Sequence, residues 1–383
     1  MGLGNTALGR RAPALRGALL AVLLTGCAGS GLGATATPEP TATIPSEVSL
    51  QPAAFLAVDP AYGLAMLWTL DHHLLAVFPD VTWENPAPGT GVVAGSLTDP
   101  AKSLPFAFLE SGEGEWFVTR HGGGEAVRWI SLDSPSGMAG SIPGGHALVG
   151  DRQQGRARLY LLDLRQPQPS PSPTIVWQGH GPPAIPVALR LAQGRPVEGL
   201  FSLATQAGGL PAGLYSIQLE TGDTSAIVAS ELTLLGVAPD LTWYAVSDPT
   251  AAPPQVEIRR YDGSSSVVFQ PTSGARAVGR AVFSPEGRNV AWATVVPLAD
   301  DPERTVINVV STSGGVPTSI TPEQVRAQLS DEIGAISPAA WLDEHTLLIQ
   351  AEVGGEPQVL RIGSDGFGVQ PAGQGIFISL VYR

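Results

Sequence analysis

The side chains best suited to binding a metal or transferring a proton are scattered through the sequence. The 383 residues include six histidines, 34 acidic residues and one cysteine. No histidine pair has the H-x-H or H-E-x-x-H spacing of zinc sites, and His72 and His73 would point to opposite faces of a strand. We therefore expect no metal site. Convergence in a central channel stays open as an alternative for the scattered histidines, His121, His146, His180 and His345.

Two further sets of residues are candidates for catalysis or for ligand binding. His121-Gly122-Gly123-Gly124 has the composition of a lipase oxyanion loop, but the chain contains no G-x-S-x-G nucleophile motif, and we interpret the segment as a turn. Trp243 and Trp292 could stack on a sugar, but both follow a repeated turn, so we predict packing between structural units instead. We assign no catalytic residue and expect no cofactor.

The N-terminus has the layout of a secretory signal. Arg10, Arg11 and Arg16 precede an apolar run from Ala18 to Leu24, and no acidic residue occurs before Cys27. The run is much shorter than the ~20 residues of a membrane-spanning helix. Leu24-Thr25-Gly26-Cys27 resembles the lipobox of bacterial lipoproteins, which implies that residues 1–26 are removed and that Cys27 carries a diacylglyceryl group and fatty-acyl chains such as palmitate.

A spacer follows the cysteine. Residues 28–47 are small residues, Thr and Pro with almost no apolar bulk, so residues 27–47 are expected to be a lipidated cysteine and a semi-extended tether. The formal net charge of the chain is −13, and loss of residues 1–26 removes three arginines and no acid. Such an acidic chain disfavours nucleic acid as a partner.

Residues 48–383 show a repeat that predicts an all-β fold. Short β-rich runs replace long amphipathic helices, and a Pro, acid and Gly turn leads into several of them, most clearly at Ser284-Pro285-Glu286-Gly287. Anchors placed at these turns recur about every 45 residues, the period of four-stranded propeller blades. They are Asp71, Gly112, Gly144, Gly194, Asp240, Glu286 and Asp343. We predict a β-propeller of six or seven blades, with a β-sandwich as the alternative.

A second element, an alternating strand that ends in a turn, recurs six times and supports the same fold. Its copies begin at Val127, Leu159, Leu214, Val256, Val306 and Val359. The terminal run Ile376–Tyr382 has no repeat of its own and is predicted to pair with the strand near residues 48–58, closing the ring. One helix is predicted over Pro322–Leu329, with Thr321 as N-cap and Gln324 completing a capping box.

The turn at Ser284-Pro285-Glu286-Gly287 and its following strand resemble the WD-like repeat of TolB-type propellers, with Glu286 where that family usually has Asp. The resemblance implies a propeller over most of residues 48–383 and protein partners near the cell envelope, and it transfers no partner-binding residue.

Together these features predict a lipid-anchored, extracytoplasmic β-propeller. We expect a non-catalytic binding or scaffolding module that is held at the bacterial membrane or envelope and has a protein or glycan ligand. The alternative is a glycan-active or other hydrolase or lyase with its site at the mouth of the propeller channel, because propellers host such chemistry.

Overall fold

The computed structural model describes residues 51–383, apart from 80, 82, 96, 98–103, 113, 123–125, 142–144, 167–172, 229–231, 249, 252–253, 271–274, 276 and 297–303. Within these residues the chain forms seven antiparallel sheets of four strands each. None of the helices in this part of the chain combines the length and the hydropathy needed to cross a bilayer. The predicted all-β fold is therefore confirmed, with seven blades.

Blade 1 combines both ends of the described chain. Its strands are β1 (Pro52–Asp59), β2 (Leu64–Thr69), β3 (Leu74–Phe78) and β28 (Ile376–Tyr382). Blades 2 to 4 are formed by β4 (Gly91–Val93), β5 (Phe106–Gly112), β6 (Glu115–His121), β7 (Val127–Leu132); β8 (Pro135–Gly140), β9 (His146–Gln153), β10 (Arg156–Asp163), β11 (Thr174–His180); and β12 (Ala184–Ala192), β13 (Arg195–Leu203), β14 (Gly213–Gln218), β15 (Thr224–Val228).

Blades 5 to 7 continue the same order. They are formed by β16 (Thr233–Val237), β17 (Trp243–Ser247), β18 (Val256–Arg260), β19 (Ser266–Phe269); β20 (Ala277–Phe283), β21 (Asn289–Val296), β22 (Arg304–Ser311), β23 (Thr318–Ile320); and β24 (Ile333–Trp341), β25 (Thr346–Val353), β26 (Glu356–Gly363), β27 (Gln370–Gln374). The predicted helix α1 (Pro322–Leu329) lies between blades 6 and 7, and both halves of its capping box are present.

The first strand of each blade lies at the centre of the ring. Strands β4, β8, β12, β16, β20, β24 and β28 each contact the next in this series, and β28 contacts β4. These seven are called the innermost strands, and the space they enclose is the central channel. The ring is closed as predicted, because β28 pairs antiparallel with β1, for example Phe55 with Leu380.

The hydrophobic core is divided into seven clusters, one between each pair of neighbouring blades. The cluster between blades 5 and 6 contains Trp292, which is 2% exposed, and Trp243 packs against its edge. The predicted packing role of these two tryptophans is confirmed. Because both faces of every blade are covered by its neighbours, the fold depends on a complete ring.

The repeat anchors do not all fall on equivalent turns. Gly194, Asp240, Glu286 and Asp343 lie between the innermost strand and the second strand of their blades. Asp71 instead lies between the third and fourth strands of blade 1, and Gly112 ends the second strand of blade 2. These two assignments were wrong because Gly and Asp are favoured in β-hairpin turns generally and do not mark one hairpin of a blade. Gly144 lies outside the described residues.

The second repeated element corresponds to the third strand of its blade in five copies of six. The copy at Val127 is the exception, since it forms β7, the outermost strand of blade 2. The third strand of that blade is β6, which ends at His121. The alternation of apolar and polar residues is common to both strand positions, so it does not distinguish them.

Candidate functional site

The one site residue assigned from the sequence, Cys27, lies outside the described residues, as do the residues on either side of it. Its lipid attachment therefore stays a prediction. The remaining candidates fall into three groups: the histidines, the central channel and a cavity between blades 2 and 3.

The histidines do not converge. His72, His73, His180 and His345 are exposed at separate turns and strand ends. Within the described part of the chain, no group of three or more His, Cys, Asp or Glu is placed to hold a metal ion. Gly123 and Gly124, which follow His121 in the lipase-like segment, are not among the described residues.

His121 is part of an aromatic cluster between blades 1 and 2. It is 5% exposed, and its ring lies 4.9 Å from that of Phe78 and 5.1 Å from that of Phe106. Trp83 packs on the same Phe106 ring at 6.4 Å. These contacts give His121 a packing role at the end of β6.

The innermost strands around the central channel are almost without charge. The seven innermost strands contain no Asp, Glu or His, and their only charged residues are Arg190 and Arg280. Tyr382, near the end of β28, is half-buried, and burial raises the pKa of its phenol to about 12. The phenol of Tyr382 is therefore protonated at any physiological pH.

The two arginines of the innermost strands have different surroundings. Arg190 Nη2 lies 3.0 Å from Glu198 Oε2, and the opposite carboxylate oxygen of Glu198 accepts a hydrogen bond of 3.0 Å from Tyr261 Oη. Arg280 lies in the middle of β20 and is exposed, yet burial lowers the pKa of its guanidinium. Arg280 is therefore in contact with water although protein lies close around it.

A cavity of about 240 Å³ opens between blades 2 and 3. It is lined by Trp129 and Ile130 of β7, by His146 of β9, and by the end of β10 with the segment that follows it. Apolar side chains, among them Leu161 and Pro173, form much of its remaining wall. The cavity therefore combines an aromatic face with a histidine and the carboxylate of Asp163.

Asp163 and Arg165 organise the polar side of this cavity. Arg165 Nε and Nη2 donate to the two carboxylate oxygens of Asp163, each at 2.8 Å, and this contact lowers the pKa of Asp163. Arg165 Nη2 also lies 3.2 Å from His146 Nε2. A guanidinium only donates, so this contact makes Nε2 the acceptor and places the imidazole proton on Nδ1.

Burial favours the neutral form of His146. Its ring is 5% exposed, and burial is the largest cause of a pKa below the ordinary value of 6.5. The charge of Asp163 opposes that shift and the charge of Arg165 adds to it. The Nδ1 atom is buried and has no hydrogen-bond partner among the described residues.

The sequence did not identify Arg280, Asp163 or Arg165 as candidate site residues. Arg280 had a usable signal, because it is the single charge in the apolar strand Ala277–Phe283. No sequence signal indicates the cavity, because it forms where β7 approaches β9 and β10 across the boundary between two blades.

Several solved structures are similar to this chain. The tricorn protease aligns with 84% of this chain and 34% of its own, with a TM-score of 0.50 at 10% identity. Oligogalacturonate lyase in complex with manganese aligns over 85% of both chains, with a TM-score of 0.49 at 11% identity. TolB from Acinetobacter baumannii aligns over 86% of this chain and 81% of its own, with a TM-score of 0.42 at 14% identity. At these identities the likeness concerns the fold alone, and the two scores below 0.5 support no argument about function.

No protein-family model and no curated protein matches the chain. The sheet topology and the closed ring define it as an all-β, seven-bladed propeller.

Proposed function

We propose that this protein is a membrane-anchored, extracytoplasmic propeller that acts as a non-catalytic binding or scaffolding module. The proposal is supported chiefly by the order of segments in the sequence. An arginine-containing segment is followed by an apolar run, by Leu24-Thr25-Gly26-Cys27 and by a polar spacer, and the closed ring begins after these at Pro52. A diacylated cysteine stably anchors a protein at a membrane surface, since each buried methylene contributes about 0.8 kcal/mol.

Two features of the ring support binding. The innermost strands carry two arginines and no carboxylate, and the cavity between blades 2 and 3 presents a tryptophan beside His146, whose pKa is lowered. Both arrangements are suited to binding a ligand by shape and by a few polar contacts, the combination that is typical of ligand sites. The ligand is a protein segment or a glycan in this proposal.

Membrane fractionation tests the anchor. The native chain and Ser30→Ala, a control three residues into the spacer, should sediment with membranes and incorporate labelled palmitate. Cys27→Ala should do neither, because it lacks the thiol to which the lipid is attached. Retention of Cys27→Ala in the membrane fraction would contradict lipid anchoring, and a soluble native chain would contradict membrane attachment altogether.

A further inference from the structure

Arg280 lies in an innermost strand, on the side of its blade that borders the central channel. It is the fourth residue of β20, whose outer edge pairs with β21. Blades 5 and 7 cover the two faces of its blade, with β16 and β24 in contact with β20. The approach of β16 is so close that a Cβ atom on Gly236 would collide with the carbonyl oxygen of Ala281. The exposed part of Arg280 therefore faces the axis of the ring.

A β-bulge places Arg280 at this point. Val278 pairs with Thr294 and Ala281 with Trp292, so Gly279 and Arg280 together oppose Ala293. A bulge inserts one extra residue and redirects the side chain from the regular alternation of the strand. Without it, Arg280 and Val282 would point to the same face, and Val282 belongs to the packed core between blades 6 and 7.

The guanidinium has no acceptor within the described part of the protein. No ion pair or side-chain hydrogen bond is formed by Arg280 there, whereas Arg190 is paired with Glu198. The innermost strands offer no carboxylate to it. A guanidinium without a carboxylate partner keeps its donors free for an anion that enters the channel.

We propose that Arg280 binds an oxyanion group of the ligand, a carboxylate or a phosphate, in the central channel. A planar guanidinium forms two parallel hydrogen bonds with either group. The inference deepens the proposed binding function by naming the chemistry of the ligand, and it rests on that function. It does not depend on the membrane anchor. The fractionation of Cys27→Ala can therefore contradict the anchor without affecting the binding proposal, and the binding experiment can contradict the role of Arg280 without affecting the anchor.

The test compares the full chain, purified from its expression host, with Arg280→Gln and Arg288→Gln. Arg288 is the matched control, because it lies in the same blade, in the turn that precedes β21, and is 73% exposed at its side chain. Each protein is titrated with inorganic phosphate and, separately, with acetate, while chloride keeps the ionic strength constant. Thermal melting and isothermal titration calorimetry give the affinity.

For at least one anion, we expect saturable binding and a rise in Tm for the native chain and Arg288→Gln. Arg280→Gln should bind ~10- to 100-fold more weakly, which corresponds to loss of a charge-assisted contact. The anion that binds distinguishes a phosphate from a carboxylate ligand. An equal rise in all three proteins would reflect the general exclusion of phosphate from protein surfaces, and it would overturn the proposal. Absence of binding by the native chain would also overturn it.

Melting in chloride alone gives a second, independent reading. Arg280→Gln removes a charge that has no partner in the described protein, so its Tm should not fall below that of the native chain. A clear fall in Tm would mean that Arg280 is bonded within the protein, and that result would overturn the proposal even if binding were weakened.

Discussion

The titration of His146 makes the stability of the ring depend on pH. Its native pKa is lowered chiefly by burial, so between about pH 6.5 and the native value the unfolded chain holds a proton that the native chain lacks. The free energy of unfolding must therefore fall as pH decreases through this interval. At higher pH both states are neutral and this contribution is fully present.

His146→Gln should reduce that pH dependence. Urea unfolding measured between about pH 8 and pH 5.5 should show a smaller loss of stability on acidification in His146→Gln than in the native chain. This range stays above the titration of Asp163, whose pKa is lowered. His180→Gln, which removes an exposed histidine, serves as the control. Identical pH profiles for the native chain and His146→Gln would contradict the lowered pKa of His146.

Single residues were predictable where their role is local. Thr321 and Gln324 specify the start of α1, because a capping box involves only four consecutive residues. Arg280 and His146 were not predictable as parts of a site, since their surroundings come from distant strands. Arg165 reaches His146 across 19 residues of sequence, and the enclosure of Arg280 requires β16 and β24.

At the scale of elements, the repeated turn joins one blade to the next. Glu344, in the turn of blade 7, accepts hydrogen bonds from Ser284 Oγ at 2.7 Å and from the backbone N–H of Glu286 at 2.9 Å. Its backbone oxygen accepts another, of 2.9 Å, from Asn289 Nδ2. Gly287, with φ of 66°, allows the tight turn that presents these donors. The best-conforming repeat is thus also a contact between blades 6 and 7.

Glu344→Ala should destabilise the protein by about 1–2 kcal/mol, because its half-buried carboxylate loses two short hydrogen bonds and a longer one, of 3.4 Å, from Asn289 Nδ2. Urea unfolding measures the change. Glu286→Ala is the control in the same region: the Glu286 side chain is 58% exposed and pairs only with exposed Arg288, so its removal should cost at most about 1 kcal/mol. Equal losses for the two variants would contradict the role of Glu344 between blades.

At the scale of the whole molecule, the sequence predicted the class of fold and the closure of the ring but left the number of blades between six and seven. The strand alternation is local and was recognised in six of the seven blades, whereas the turns at Asp71 and Gly112 mark different hairpins and left the number of blades open. The division of the core into seven clusters between blades could not be read from the sequence, because each cluster combines side chains from two repeats.

Closure by β28 is the feature on which the whole ring depends. This strand supplies the innermost position of blade 1, and its residues Phe377 and Val381 are 3% and 0% exposed. Its loss would leave an edge of β1 unpaired and would open the clusters on both faces of blade 1 to water. A gap at one blade removes two interfaces at once, which a ring built from neighbour contacts cannot replace.

Deletion of residues 375–383 should therefore abolish cooperative unfolding, and a chain that lacks only the exposed Arg383 should melt like the native protein. Urea unfolding followed by tryptophan fluorescence measures both. A synthetic peptide of residues 375–383, added to the shortened chain, should restore a cooperative transition, because β28 contributes through pairing with β1 and needs no covalent link to blade 7. If the shortened chain unfolded with the native midpoint and slope, the ring would not depend on its terminal strand, and the stability of this propeller would have to reside within its separate blades.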